Sequence, residues 1–113
     1  MKLLIAGSRS ITDFDLSPHV PADVDLIITG GAKGVDTIAE QYARQRGIPT
    51  LTVKPAYEKY GRAAPLRRDE EMVDMADAVL VIWDGVSRGS RHTAEYARRK
   101  GKPVTVVSVE VEG

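Results

Sequence analysis

Apolar stretches alternate with amphipathic stretches along the whole chain. Five short apolar runs, rich in β-branched residues and bounded by turn residues, predict β-strands at 2–6, 25–29, 50–54, 78–83 and 104–109. Segments with apolar residues at helical spacing predict helices at about 35–46, 64–75 and 91–100. Residues 13–20 are ambiguous because Pro18 interrupts them, and 55–62 is too irregular for either period, which predicts a polar loop.

The alternation of strands and helices predicts the fold class. Strands that are apolar throughout and separated by helices are typical of a parallel sheet covered on both faces. A chain of 113 residues is long enough for one domain with a sizeable core. We therefore expect a single three-layer α/β domain over residues 1–113, with a five-stranded parallel sheet in the order 3-2-1-4-5.

Polar and glycine residues follow the first, second and fourth predicted strands. The segments are Gly7-Ser8-Arg9, Gly30-Gly31 and Asp84-Gly85. In a right-handed parallel sheet these strand ends lie at one edge, and ligands bind there at the point where the strand order reverses. The sequence therefore predicts one binding site formed by three loops.

The loop from Gly30 to Gly34 is the most informative of the three. It joins a strand to a helix through small residues and Lys33, so backbone N–H groups and the helix N-terminus can approach an anion such as phosphate. Its Gly-Gly-x-x-Gly spacing matches neither the dinucleotide fingerprint nor the Walker A motif. A phosphate cradle and a simple tight turn remain equal alternatives, and we expect a phosphate to lie across this loop.

Composition excludes several classes of protein. Sixteen basic residues balance sixteen acidic residues, and the chain has one Trp, one Phe and four Tyr, so binding to nucleic acid is not expected. The absence of cysteine excludes a disulfide, a thiol nucleophile and a cysteine zinc cluster. His19 and His92 are too distant in sequence to suggest a metal pair, and no cofactor is predicted.

Hydropathy and the first residues indicate where the protein acts. No apolar run approaches the length of a membrane span, so no membrane association is expected. The opening apolar residues are too few for a signal-peptide core and are better explained as a strand. A cytoplasmic protein is therefore expected.

Two motifs resemble those of a known superfamily. Gly31-x-x-Gly34-Val35-Asp36 resembles the glycine motif of the DNA-processing protein DprA. Arg68-x-x-x-Met72, followed by Ala76-Asp77-Ala78, resembles the central motif of the LOG-type phosphoribohydrolases. Both groups belong to the SLOG superfamily.

The small YspA-like branch of that superfamily gives the most extensive resemblance. Its ordered motifs match Gly7-Ser8-Arg9, Arg68-Asp69-x-x-Met72 and Trp83-Asp84-Gly85-x-Ser87-x-Gly89, which together span nearly the whole chain. The resemblance implies a Rossmann-like fold and a site for a nucleotide or a nucleotide-derived ligand.

One departure from the superfamily pattern bears on catalysis. LOG enzymes carry Gly-Gly-x-Gly-Thr-x-x-Glu, and alignment on Gly89-Ser90 places Thr93 where their catalytic glutamate lies. Glu95 is two residues further, roughly 200° around a helix, and does not replace it. Threonine cannot act as the carboxylate that stabilises an oxocarbenium ion. No catalytic residue is therefore assigned.

Each candidate residue also has an ordinary structural explanation. Asp36 lies in the first turn of a helix, where a carboxylate is favourable without a ligand. A solvated, charged helix face is the default for Arg68, although the resemblance implies a phosphate or ribose contact. Asp84 and Ser87 are suited to a turn as well as to a ribose hydroxyl. The predicted ligand-binding set is Gly7, Ser8, Arg9, Gly30, Gly31, Lys33, Gly34, Asp36, Arg68, Asp84, Gly85, Ser87, Gly89 and Ser90.

The predicted function is therefore binding of a nucleotide or nucleotide derivative, in a sensor, carrier or sequestering role. The alternative is a nucleotide-processing N-glycosidase that uses Asp36, Asp84 or Glu95 as its acid. Single-stranded DNA binding, as in DprA, is a weaker alternative. A homodimer is also expected, because SLOG proteins are commonly oligomeric and because Leu66, Met72 and Met75 would give one helix an apolar face.

Overall fold

The computed structural model describes residues 1–110 as a three-layer α/β domain. The elements, in chain order, are β1 (Lys2–Gly7), β2 (Leu26–Thr29), α1 (Val35–Arg46), β3 (Thr50–Thr52), α2 (Tyr57–Tyr60), α3 (Ala64–Met75), β4 (Ala78–Trp83), α4 (Arg88–Arg99) and β5 (Val104–Ser108). Short 3-10 turns occur at Ser17–His19 and Gly61–Ala63. The five strands are parallel and lie in the order β3-β2-β1-β4-β5, which confirms the predicted sheet.

The central strand β1 divides the core into two halves. Leu3 and Ile5 belong to the cluster that includes buried residues of α1, whereas Leu4 and Ala6 belong to the cluster that includes buried residues of α3 and α4. This division follows from the alternation of side chains along a strand. Because both faces are covered, β1 is apolar throughout, and this is why its sequence shows no alternating pattern.

Several predicted boundaries differ from the structure, most of them by one residue. The last helix begins at Arg88 rather than at 91, because Ser87 is its N-cap and accepts a hydrogen bond from the Ser90 N–H. The third strand ends at Thr52. The segment predicted as a polar loop contains α2, a single helical turn that buries none of its residues and so leaves no periodic pattern in the sequence.

Helix α3 presents a smaller apolar surface than its sequence predicts. Met72 is buried in the core, whereas Leu66 and Met75 are exposed. Of the predicted apolar face of Leu66, Met72 and Met75, only Leu66 and Met75 are therefore available to a second copy of the chain. Among the helices of residues 1–110, none is long and apolar enough to cross a membrane.

Candidate functional site

A cleft of about 460 Å³ lies at the carboxyl edge of the sheet. Its walls come from the end of β1, the start of α1, α3 and the turn that leads into α4. The strand order reverses between β1 and β4, and such switch points are where ligands bind in open α/β sheets. The cleft therefore occupies the position predicted from the three polar loops.

The structure brings together eight of the predicted residues. Those lining the cleft are Gly7, Arg9, Asp36, Arg68, Asp84, Ser87, Gly89 and Ser90. Those that do not line it are Ser8, Gly30, Gly31, Lys33, Gly34 and Gly85.

The glycines of the 30–34 loop pack against protein. A Cβ at Gly34 would lie 2.5 Å from the carbonyl oxygen of Ser8, and the same oxygen accepts a hydrogen bond of 3.3 Å from the Val35 N–H. The loop after β1 thus covers the N-terminus of α1. From the 30–34 loop, only Ala32 lines the cleft. Of these glycines, Gly34 permits the close contact between the two loops, as a tight turn would require. The phosphate cradle stays a prediction.

Arg68 lines the cleft and is only 8% exposed, and we call the part of the lining formed by Asp36, Arg68 and Asp69 the floor. Its Nη1 donates to the carbonyl oxygens of Gly30 at 2.7 Å and Val53 at 3.3 Å. Its Nε donates to Asp69 at 2.9 Å. The default explanation as a solvated surface charge is therefore wrong, because the guanidinium joins α3 to the loop after β2 and to the residue that follows β3.

Asp36 is the second charged group of the floor. It is 7% exposed, and its Oδ2 accepts a hydrogen bond of 3.1 Å from the Ala32 N–H. A Cβ at Gly30 would lie within 3.0 Å of both this carboxylate and the Arg68 guanidinium, so the absence of a side chain there lets both groups approach the loop. Burial raises the pKa of Asp36, against the opposing effects of the Ala32 hydrogen bond and of Arg68.

Asp69 is the functional candidate that the sequence analysis missed. Its side chain lines the cleft, is 13% exposed and forms an ion pair with Arg68. Its Oδ2 lies 3.9 Å from the position of a Cβ at Gly89, in the first turn of α4. Burial raises the pKa of Asp69 to about 6, although Arg68 lowers it. Its place directly after Arg68 in the matched motif was a usable signal.

The raised pKa of Asp69 predicts a pH dependence of stability. The folded protein binds this proton more tightly than the unfolded chain does, so the free energy of unfolding falls as pH rises from about 4 to about 6 and is level above. The loss through this group is on the order of 2–3 kcal/mol. Urea unfolding measured between about pH 4 and pH 6 should show a smaller fall in the free energy of unfolding for Asp69→Asn than for the wild type. Asp13→Asn, at an exposed position, is the control. If the free energy of unfolding depended on pH in the same way for Asp69→Asn and the wild type, Asp69 would not have the raised pKa.

Asp84 forms the turn that was one of its two predicted roles. Its Oδ1 accepts hydrogen bonds from the N–H groups of Val86 and Ser87, and its Oδ2 accepts one from the Ser10 hydroxyl at 2.7 Å. These bonds, the one from the Ser87 N–H foremost, lower the pKa of Asp84 to about 2. The carboxylate therefore fixes the entry to α4 and links it to the loop after β1.

Thr93 and Glu95 differ in their relation to the cleft. Thr93 lines it and is buried, and its hydroxyl donates to the Gly89 carbonyl oxygen at 2.9 Å. Glu95 is exposed, pairs with Arg91 at 2.9 Å and lies outside the cleft. Glu95 is thus poorly placed to act as an acid in this site. Residues 1–110 contain no group of three His, Cys, Asp or Glu side chains arranged to hold a metal ion.

Comparison with known proteins gives two matches. Residues 1–60 match the family model described as "YspA, cpYpsA-related SLOG family". The chain is also 37% identical over 86 residues to the protein named "Gene 61 protein" of Mycobacterium phage D29, an alignment that covers 70% of this chain and 68% of that protein. The family match includes the loops after β1 and β2 together with Asp36, and it ends before Arg68.

Proposed function

Because the chain belongs to the YspA, cpYpsA-related SLOG family, we propose that the cleft binds a nucleotide or a nucleotide-derived small ligand. The observation that carries the proposal is a nearly buried guanidinium, Arg68, on the floor of a cleft at the switch point of the sheet. The volume of the cleft, about 460 Å³, is within the range of small-molecule sites. The protein would then act as a sensor, a carrier or a sequestering protein for this ligand.

The walls of the cleft suit the parts of a nucleotide differently. Pro65 and Leu66 of α3 give an apolar surface on which a base can pack. Arg9 is exposed at the end of β1, and the first turn of α4 adds backbone N–H groups and the positive end of a helix of 12 residues. We place the phosphate between Arg9 and α4, rather than across the 30–34 loop, since the glycines of that loop pack against protein.

Titration calorimetry of two variants with nucleoside mono- and diphosphates tests this placement. Arg9→Ala should weaken binding about ten- to a hundredfold, because a charge-assisted hydrogen bond to phosphate is lost. Lys33→Ala is the matched control, since Lys33 is an exposed loop cation outside the cleft and its removal should leave the affinity unchanged. Both side chains are exposed, so neither change should impair folding. Failure of the wild type to bind any of these nucleotides would contradict the proposed function.

A second candidate function is hydrolysis of a nucleotide at its N-glycosidic bond. The observation that favours it is the carboxyl group of Asp69, whose pKa of about 6 suits general acid–base chemistry in the cleft. Among the acids considered from sequence, Asp84 is held by its turn and Glu95 lies outside the cleft, which leaves Asp36.

Release of free base from nucleoside monophosphates distinguishes the two functions. We expect no release at a rate typical of LOG enzymes, because Thr93 occupies the position of their glutamate and loss of a catalytic carboxylate costs orders of magnitude in rate. Liquid chromatography of the incubated nucleotides measures this. Rapid release that disappears in Asp69→Asn or Asp36→Asn would favour the enzyme instead.

Two further expectations from the sequence stay predictions. Leu66 and Met75 are large exposed apolar residues of α3, and they support the expected homodimer, which the mass in solution by light scattering measures. The second expectation that stays a prediction is the cytoplasmic location.

A further inference from the structure

Three adjoining side chains of the cleft floor have unused hydrogen-bonding atoms. Asp36 uses Oδ2 and Asp69 uses Oδ1 in the bonds described above, and Arg68 uses Nε and Nη1. Within the hydrogen bonds of residues 1–110, Oδ1 of Asp36, Nη2 of Arg68 and Oδ2 of Asp69 take no part. No buried side-chain nitrogen or oxygen in this part of the chain lacks a partner, so these three atoms remain accessible. All three side chains line the cleft, and we assign the free atoms to its floor.

The floor therefore offers a hydrogen-bond acceptor from Asp36, a donor from Arg68 and a second acceptor from Asp69. A guanidinium is donor only, and an ionised carboxylate is acceptor only. A complementary ligand must present two donors and at least one acceptor close together. A phosphate has acceptors alone at neutral pH, and two carboxylates beside Arg68 would repel it.

Two adjacent hydroxyl groups satisfy this pattern, since each hydroxyl donates one hydrogen bond and also accepts. The 2′- and 3′-hydroxyls of a ribose are such a pair. One can donate to Asp36 and the other to Asp69, while either accepts from Nη2 of Arg68. Arg68 compensates the charge of Asp69 directly through the ion pair, and its positive charge also counteracts the effect of burial, which raises the pKa of the nearby Asp36.

We propose that Asp36, Arg68 and Asp69 bind the ribose diol of the ligand and make the cleft selective for ribonucleotides over 2′-deoxyribonucleotides. This inference rests on the proposed function and names the sugar that the same site accepts. A 2′-deoxy ligand would cover one carboxylate oxygen without supplying a donor to it, and hydrogen bonds to charged groups are the costlier ones to lose. We expect 2′-deoxy analogues to bind about ten- to a hundredfold more weakly.

The experiment compares matched ligands at neutral pH. Adenosine, guanosine, cytidine and uridine 5′-monophosphates are titrated by calorimetry alongside their 2′-deoxy counterparts. Each ribonucleotide that binds should have an affinity about ten- to a hundredfold higher than that of its 2′-deoxy counterpart. Asp69→Asn, which keeps the shape and removes the charge, should reduce that ratio severalfold. Asp74→Asn, an exposed position on the same helix and outside the cleft, should leave the ratio unchanged.

The ratio of affinities separates this inference from a merely structural role of Asp69, because a general loss of folding lowers both affinities together. Equal affinity for ribo- and deoxyribonucleotides would overturn the inference and leave the proposed function intact. An unchanged ratio in Asp69→Asn would equally overturn it. If no monophosphate of either series binds, the proposed function fails and the inference fails with it.

Discussion

Replacing Arg68 with alanine should lower the free energy of unfolding by about 3–5 kcal/mol. The substitution removes the donor to the carbonyl oxygens of Gly30 and Val53 and leaves Asp69 as a nearly buried carboxylate without its cation. Removal of one member of a buried ion pair costs this much because the remaining charge has lost its compensation. For a domain that is stable by 5–15 kcal/mol, this is a large share of the total.

Arg67→Ala is the matched control for this prediction. Arg67 is the preceding residue of α3, its side chain is 60% exposed, and its contact with Glu70 is 3.7 Å long. Its removal should change stability by no more than about 0.5 kcal/mol. Urea unfolding followed by circular dichroism measures both variants. A loss below about 1 kcal/mol for Arg68→Ala would mean that the guanidinium is not held as described.

Gly34→Ala should be equally damaging, with an expected loss of about 3–5 kcal/mol from backbone strain and overpacking together. Gly34 has φ +76° and ψ −125°, a conformation that residues with a Cβ rarely adopt. Its Cβ would lie 2.5 Å from the Ser8 carbonyl oxygen and 2.7 Å from Cα of Arg9. These are backbone atoms, and Ser8 is itself fixed by a hydrogen bond of 3.0 Å from its N–H to the carbonyl oxygen of Ile82.

Gly47→Ala separates the effect of backbone strain from that of overpacking. Gly47 closes α1 with φ +69°, and no atom lies within 4 Å of the position of its Cβ. Only the left-handed conformation is penalised there, at about 1–2 kcal/mol. Thermal unfolding of both variants should therefore show the smaller loss for Gly47→Ala. Equal losses would show that close contact between the loops contributes nothing at Gly34.

The sheet could be predicted from the sequence because its causes are local. Each central strand is an apolar run bounded by turn residues, and the loops after β1, β2 and β4 fixed the edge at which a ligand site would form. Helix α2 could not be predicted in the same way. It buries none of its residues, and a helix without a buried face has no periodicity to detect.

The site was predictable in position but less so in its chemistry. Arg68 and Asp69 belong to a charge run that resembles a solvated helix face. Arg68 is instead held by the carbonyl oxygen of Gly30, 38 residues away along the chain. No local pattern reports such a contact. The glycine loop has a sequence suited to phosphate, yet Gly34 and Gly30 leave space for Ser8, Asp36 and Arg68 of the protein itself.

The three partners of Arg68 also limit how this cleft can change its ligand during evolution. The same guanidinium that lines the cleft also fastens the residue after β3, an edge strand whose three residues are all exposed. Exposed edge strands are prone to pair with other chains, so a loosened β3 would favour aggregation. A lineage that replaced Arg68 to accept a new ligand would lose stability in the same step. Specificity should therefore drift through Asp36, Asp69 and the apolar wall of α3, while the arginine stays in place.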